Sequence, residues 1–190
     1  MAHIKVDVQE LNIDFLAGSG HKLCGPTGIG FLWSREEILN EIPPFLGGGE
    51  MIEDVFEEKS TWAELPHKFE AGTPAIAEAI GLAEALKYIK NIGLNNIHNY
   101  EKKLTQYLFT NLSNIENLHI IGPSPTNDQN RASLATFYVD DIHSNDIAEI
   151  LDSKGVCIRS GHHCCQPLHR YLGIKSTARV SMNFTTTKED

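Results

Sequence analysis

Two short stretches carry residue types that could do chemistry together: Ser19-Gly20-His21-Lys22 and Arg159-Ser160-Gly161-His162-His163-Cys164. The first offers a lysine among small and hydroxyl-bearing residues. The second offers a thiol beside two imidazoles and downstream of a fixed positive charge. A reachable, partly desolvated lysine can form an imine, because burial lowers its pKa and frees the amine for attack. A thiol near imidazoles and a guanidinium tends toward the thiolate, the form that attacks sulfur or carbon. The pair therefore points to an imine-forming amine that works with a sulfur nucleophile.

The neighbours of these residues sharpen that reading. Ser19, the Gly20 amide and His21 could together hold an anionic phosphate through hydroxyl, backbone N–H and imidazole donors. Thr73 reads both as a helix N-cap and as a phosphate ligand at a helix N-terminus. Arg179, in Ser176-Thr177-Ala178-Arg179, could clamp a carboxylate with both arms of its guanidinium. His162, His163, Cys164 and Cys165 are all zinc-type ligands. Adjacent residues seldom share one tetrahedral ion, however, and no Cys-x-x-Cys partner stands elsewhere, so no metal site is expected. From the residues alone, a surface lysine in a polar turn, an inert loop cysteine and an exposed strand arginine remain open alternatives. Cys24 and Cys157 read as packed small residues.

The hydrophobic pattern places these groups. Ile13 to Gly18 is an apolar run closed by a Gly-rich turn, and Ile29 to Trp33 is a second, so Lys22 is expected on a loop between two core strands. Gly47-Gly48-Gly49-Glu50 opens an acidic segment to about Leu65, expected to be a mobile lid or intersubunit loop. Thr73-Pro74 predicts a helix start with Pro at the first helical position, with Ile76, Ile80 and Ala83 in one stripe and Leu82, Leu86 and Ile89 in the next. Gly93 ends that helix. A second helix carries Ile97, Tyr100, Leu104 and Leu108 on one face. Then come a strand at Leu118 to Ile121, a polar loop rich in Pro and Asn, and a strand at Leu134 to Val139. A helix from Ser144 to about Lys154 and strands at Val156 to Arg159 and Ala178 to Met182 complete an α+β pattern. The expected domains are 1–93 and 94–190.

Bulk properties narrow the function class. The 190 residues are 41% apolar, enough for a core. Sixteen Lys and Arg against 25 Asp and Glu leave a formal charge of −9. With no basic run, neither a nucleic-acid partner nor an anionic membrane surface is expected. No apolar stretch approaches the ~18 residues of a membrane span, and Met1-Ala2-His3-Ile4-Lys5 lacks a secretory pattern. Four cysteines, at 24, 157, 164 and 165, suit free thiols in a reducing compartment better than a disulfide framework. A cytoplasmic location is expected, with a plastid as the other compartment.

With these residues in hand, the chain resembles the C-terminal half of group II, Suf-type cysteine desulfurases. These are relatives of selenocysteine lyase in the fold type I, aminotransferase class V group of pyridoxal phosphate (PLP) enzymes. The resemblance rests on Ser19-Gly20-His21-Lys22 with Gly25-Pro26-Thr27-Gly28-Ile29-Gly30, on Gly47-Gly48-Gly49, on Phe69-Glu70-Ala71-Gly72-Thr73-Pro74, on Arg159-x-Gly161-His162-His163-Cys164, and on Ala178-Arg179. It implies an α/β fold: the C-terminal part of a large mixed-sheet PLP-binding domain followed by a small α+β domain carrying the nucleophile loop.

By this resemblance Lys22 holds PLP and moves the Cα proton, and Ser19 and His21 bind its phosphate. Thr73, with the Gly72 backbone, reaches in from a neighbouring subunit of a homodimer. Cys164 is the nucleophile that takes sulfur from L-cysteine, leaving L-alanine and a persulfide. Arg179 clamps the substrate carboxylate, and Arg159 opens the nucleophile loop. A Suf-type acceptor protein and iron–sulfur cluster assembly are the implied destinations of the sulfur. Selenocysteine as substrate is the rival reading, and a non-catalytic assembly or interaction fragment is another. Two departures stand out. Cys165 follows the nucleophile where the family usually has a small residue such as alanine or threonine. The family's pyridine-nitrogen aspartate, ring-stacking histidine and cofactor-oxygen glutamine have no match here, Asp7 and Gln9 included. By the resemblance these three lie upstream of Met1, so activity of the chain by itself is not expected. The first half of the parallel sheet would be missing as well, leaving Ile13 to Gly18 with unpaired edges, and the chain by itself is expected to be marginally stable or oligomeric unless that half is supplied.

Overall fold

In the computed structural model, which describes residues 2–125 and 131–190, the chain forms two units, Met1–Leu94 and Asn95–Asp190. The first is organised around Phe15–Ser19 (β1) and Gly30–Ser34 (β2), an antiparallel pair in which Gly18 faces Phe31 and Ser19 faces Gly30. Both strands run about one residue later than the apolar runs suggest. The connection between them, residues 20–29, begins with a 3-10 turn, Gly20–Leu23. Two glycines make this close approach feasible. A Cβ on Gly20 would lie 2.8 Å from the Ile29 side chain and 2.9 Å from its carbonyl oxygen, and one on Gly30 would lie 2.6 Å from the Gly18 oxygen.

A short helix, Glu36–Glu41 (α1), follows β2. The segment expected to be a mobile loop instead contains a hairpin of Ile52–Val55 (β3) and Ser60–Trp62 (β4). It is anchored by Met51, which is fully buried, and by the Ala63 N–H donating to the Met51 carbonyl. Its acidic residues hide the strand pattern, yet the Asp54 N–H finds the Thr61 hydroxyl and completes the pairing.

The long helix of this unit, Ile76–Ile92 (α2), begins two residues after Pro74, with Ala75 outside it and no side-chain cap. The predicted start at Thr73-Pro74 is therefore too early: a proline holds the residue before it extended, and Gly72 at φ 80° turns the chain just upstream. Leu82 and Ile89 are its buried residues, whereas Ile76 and Ile80 are more than half exposed, so the first predicted stripe does not enter this unit's core. Gly93 ends the helix at φ 88°.

The second unit holds a four-stranded antiparallel sheet in the order β5-β6-β8-β7: Leu118–Ile121 (β5), Leu134–Val139 (β6), Arg159–Gly161 (β7) and Thr177–Ser181 (β8). Three helices accompany it: Leu94–Leu112 (α3), Ser144–Asp152 (α4) and Gln166–Leu172 (α5). Alternation along β6 sends Ala135 and Phe137 into the core, where Ile97, Leu104 and Phe109 of α3 and Ala178 of β8 are also buried. Tyr100, predicted on the same face of α3, is 40% exposed, and Glu101 and Thr105 are buried instead. The Thr105 hydroxyl lies within hydrogen-bond distance of the Glu101 carbonyl and the Ser133 hydroxyl. Strand β7 lies later than the predicted Val156–Arg159, and α5 was not expected. Residues 126–130 of the Pro- and Asn-rich loop lie outside the described residues.

Candidate active site

Lys22 sits in the turn that closes β1 onto β2, a place fixed by the two close-approach glycines. Its exposed side chain borders a cavity of about 620 Å³ whose wall also includes Ala17, Gly18, Ser19 and Leu23. That volume suits a small molecule of cofactor size. Among the described residues no side-chain hydrogen bond or ion pair engages Ser19, His21 or Lys22, so hydroxyl, imidazole and amine are available to a ligand. The Gly20 amide is not: its N–H donates to the Ile29 carbonyl at 2.8 Å. The backbone donor expected of Gly20 is thus used to close the turn, and anion binding here falls to Ser19 and His21.

Gly72 and Thr73 belong to a different corner of the same unit. The Gly72 N–H donates to the Gly49 carbonyl at 2.9 Å, which ties the Gly72-Thr73-Pro74 segment to the glycine run. Thr73 is exposed and, among the described residues, no hydrogen bond joins it to Ser19, His21 or Lys22.

In the second unit the nucleophile loop is a tight turn. The Cys165 N–H donates to the His162 carbonyl at 2.8 Å, and the two central residues, His163 and Cys164, lie at φ 51° and 61°. Two successive left-handed residues make a turn of the I′ kind, at a backbone cost of roughly 1–2 kcal/mol for each non-glycine residue. Such strain concentrates where a side chain must be presented outward. Cys164 is exposed, and Arg159 Nη2 donates to its sulfur at 3.4 Å. Arg159 begins β7, and its register partner on β8 is Arg179.

Arg179 and His163 line a second cavity, of about 540 Å³, with Cys165, Leu134, Leu168 and Ile174 in its wall. The Arg179 Nε and both ring nitrogens of His163 are buried without a hydrogen bond. Burial first, then the positive charges of Arg179 and Arg159, hold the His163 imidazole below its ordinary pKa. The ring is thus kept neutral beside two guanidiniums. A buried, unengaged guanidinium N–H in a largely apolar cavity is a strong donor to a carboxylate.

The structure therefore gathers Ser19, His21 and Lys22 in one turn, and Arg159, Cys164 and Arg179 around the β7–β8 edge. Sequence reasoning missed His169, which is 5% exposed and lies behind the loop. Its Nε2 is 3.0 Å from the Thr177 hydroxyl, its Nδ1 is 3.8 Å from the Cys165 sulfur, and its ring packs edge-on to His162 at 5.4 Å. The available signal was Cys165-x-x-x-His169, a one-turn helical spacing, with Pro167 marking the start of α5. Among the described residues no three His, Cys, Asp or Glu side chains gather as a metal site.

Comparison with known proteins gives a consistent set of relatives. The aminotransferase class-V family matches residues 1–190. A probable cysteine desulfurase of Synechocystis sp. is 54% identical over 188 residues, covering 99% of this chain and 44% of that protein. One from Staphylococcus aureus is 50% identical over 188 residues, covering 99% and 45%. Among solved structures, the apo cysteine desulfurase of Thermococcus onnurineus is similar at a TM-score of 0.93 and 42% identity, with 99% of this chain and 46% of that one covered. Cysteine desulfurase CsdA of Escherichia coli, in an S-sulfonic acid form, is similar at 0.91 and 36%, with the same coverage. The chain spans less than half the length of these relatives.

Proposed function

The chain belongs to the aminotransferase class-V family over residues 1–190, and on that premise we propose that it serves a PLP-dependent cysteine desulfurase. The enzyme takes sulfur from L-cysteine onto Cys164, releases L-alanine and, as a Suf-type desulfurase, supplies a protein acceptor for iron–sulfur cluster assembly. One observation carries the reading: an exposed thiol presented by a strained turn and held by Arg159, with the unengaged guanidinium of Arg179 on the paired strand.

The residues around Lys22 fit PLP. A hydroxyl, an imidazole and an amine stand unengaged in one turn, and the cavity beside Lys22 is of cofactor size. Ser19 and His21 would bind the phosphate, and Lys22 Nζ would hold the cofactor covalently. When bound, PLP supplies an electron sink for the electrons left at a substrate's Cα. Lys22 Nζ takes the proton at that Cα and returns it to the product. Arg179 binds the α-carboxylate through its free Nε–H. Cys164 Sγ attacks the substrate sulfur, so that a Cys164 sulfur–sulfur bond forms as the substrate's Cβ–S bond breaks and alanine leaves.

A homodimer with an intersubunit site belongs to the same proposal. It is supported by the exposed apolar residues of α2 and by Thr73, which is free of the Lys22 group within its own chain. Exposure of Cys164 suits delivery to an acceptor protein.

The test is the enzyme reconstituted with PLP and given L-cysteine and a thiol reductant. Equimolar alanine and sulfide are expected, with a persulfide mapped to Cys164 and turnover abolished by Cys164→Ser. Alanine and sulfide at an undiminished rate from that variant would overturn the assignment. Near-exclusive use of selenocysteine would replace the substrate.

A further inference from the structure

The desulfurase chemistry leaves one buried amine without a role. Lys68 is 8% exposed, and among the described residues no carboxylate pairs with it. Its Nζ donates instead to the Leu39 carbonyl at 2.9 Å and to the Asn40 carbonyl at 3.0 Å. Both carbonyls lie in the last turn of α1, where main-chain acceptors lack a partner within the helix. The donors that would continue the helical pattern belong to residues 43 and 44, and both are proline, which has no N–H. Lys68 supplies the missing donors. A hydrocarbon side chain in its place would leave both acceptors unpaired, and the direction of the two bonds fixes Nζ relative to α1.

Lys68 stands at the base of a strap that leads to Thr73. Backbone bonds make residues 64–70 one block: the Lys68 N–H donates to the Glu64 carbonyl at 3.2 Å, the Phe69 N–H to Pro66 at 3.1 Å and the Glu70 N–H to His67 at 2.9 Å. Beyond the block the Gly72 N–H donates to the Gly49 carbonyl at 2.9 Å, and a Cβ on Gly48 would lie 3.5 Å from the Ala71 Cβ. Every residue from Lys68 to Gly72 is therefore tied or in close contact, so a movement at Lys68 is passed on along the strap. Thr73, at its end, is exposed, and α2 begins at Ile76 with no side-chain cap. Among the described residues no hydrogen bond engages the Thr73 hydroxyl.

From this arrangement we infer that Lys68 is a positioning residue: it sets where the strap presents the Thr73 hydroxyl, and through it how tightly the cofactor phosphate is held. The inference rests on the proposed PLP site, which Thr73 completes from a second copy of the chain. Lys68 acts on that site through the strap alone. Its effect falls on the phosphate and not on the aldehyde that Lys22 takes up.

The experiment titrates the protein with PLP and with pyridoxal, which lacks the phosphate, traps each on Lys22 with borohydride and measures the adduct by peptide mass spectrometry. Lys68→Met is expected to weaken uptake of PLP about 10-fold and to leave uptake of pyridoxal unchanged, as is Thr73→Val. The two substitutions together are expected to lose no more than either alone. Lys68→Arg, which can still donate to both carbonyls, is expected to retain most of the PLP uptake. If Lys68→Met does not fold, Lys68→Gln takes its place against Lys68→Arg. Equal losses for PLP and pyridoxal would overturn the inference, because a merely stabilising lysine lowers both. Fully additive losses would overturn it too. The underlying reading is separable by hydrogen exchange without cofactor. Faster exchange at residues 69–73 in Lys68→Met, with β1 and β2 unchanged, in a protein that takes neither PLP nor pyridoxal onto Lys22, would defeat the PLP site and support Lys68 as the anchor of the strap. Phosphate-dependent uptake that is the same in Lys68→Met and the unsubstituted protein would defeat the role of Lys68 alone.

Discussion

Arg159 Nη2 donates to the sulfur of Cys164 at 3.4 Å, from the first residue of β7 to the second left-handed residue of the turn that follows it. Both groups are exposed, so the interaction is screened and of the order of 1 kcal/mol. It should show as charge selectivity at the thiol. Replacing Arg159 with Met is expected to lower the rate of Cys164 alkylation by anionic iodoacetate, relative to neutral iodoacetamide, about 5-fold. An unchanged ratio would mean that the guanidinium does not act on this sulfur.

The turn that presents Lys22 depends on space that only glycine leaves. Gly20→Ala or Gly30→Ala places a methyl within 3 Å of backbone oxygen. Each is expected to cost about 1–3 kcal/mol in denaturant unfolding and to weaken PLP uptake. Gly47→Ala, whose added carbon meets nothing within 4 Å, is expected to leave both within error.

His163 should make stability pH-dependent. Its pKa is depressed in the folded state by burial and by Arg179 and Arg159, whereas unfolded it titrates near 6.5. Above about pH 6.5 the ring is neutral in both states and contributes no slope. As pH falls from there toward the folded pKa, the unfolded chain binds the proton first, and stability is lost. Melting temperatures between about pH 7 and pH 5 should therefore fall less steeply for His163→Gln than for the unsubstituted chain. Equal slopes would place the titration elsewhere.

Helix α2 carries Ile76 and Ile80 at 58% and 63% exposure, an apolar stripe without a partner in its own unit. Sedimentation is expected to show self-association of the chain. Ile76→Lys with Ile80→Lys should reduce it while leaving the circular dichroism unchanged. A monomer before and after would remove this face from any interface.

The strands flanking Lys22, the strands β5, β6 and β8 of the second unit and the helices ending at Gly93 and near Gly155 were legible because apolar runs and glycine punctuation are local signals. Residue type and neighbours made Lys22, Cys164 and Arg179 candidates beside a surface lysine, an inert loop cysteine and an exposed strand arginine, and the family resemblance supplied their expected roles. What was not legible depends on partners distant in sequence. The β3–β4 hairpin is hidden by acidic side chains and held by Met51. The stripe of α2 looks like core until its neighbours are known. The Gly20 amide reads as an anion donor until the Ile29 carbonyl is seen to occupy it. His169 reads as an ordinary helix residue, because its meaning lies in Thr177, on another strand, and in the cavity that Cys165 enters.

The central claim is that the turn between β1 and β2 is a cofactor site with Lys22 as its covalent anchor. It is tested most directly by adding PLP to the chain, reducing with borohydride and mapping the adduct by peptide mass spectrometry. One phosphopyridoxyl group on Lys22 is predicted, diminished when Ser19 and His21 are both replaced by Ala. Labelling spread over exposed lysines such as Lys87 and Lys103, with Lys22 not preferred, would contradict it.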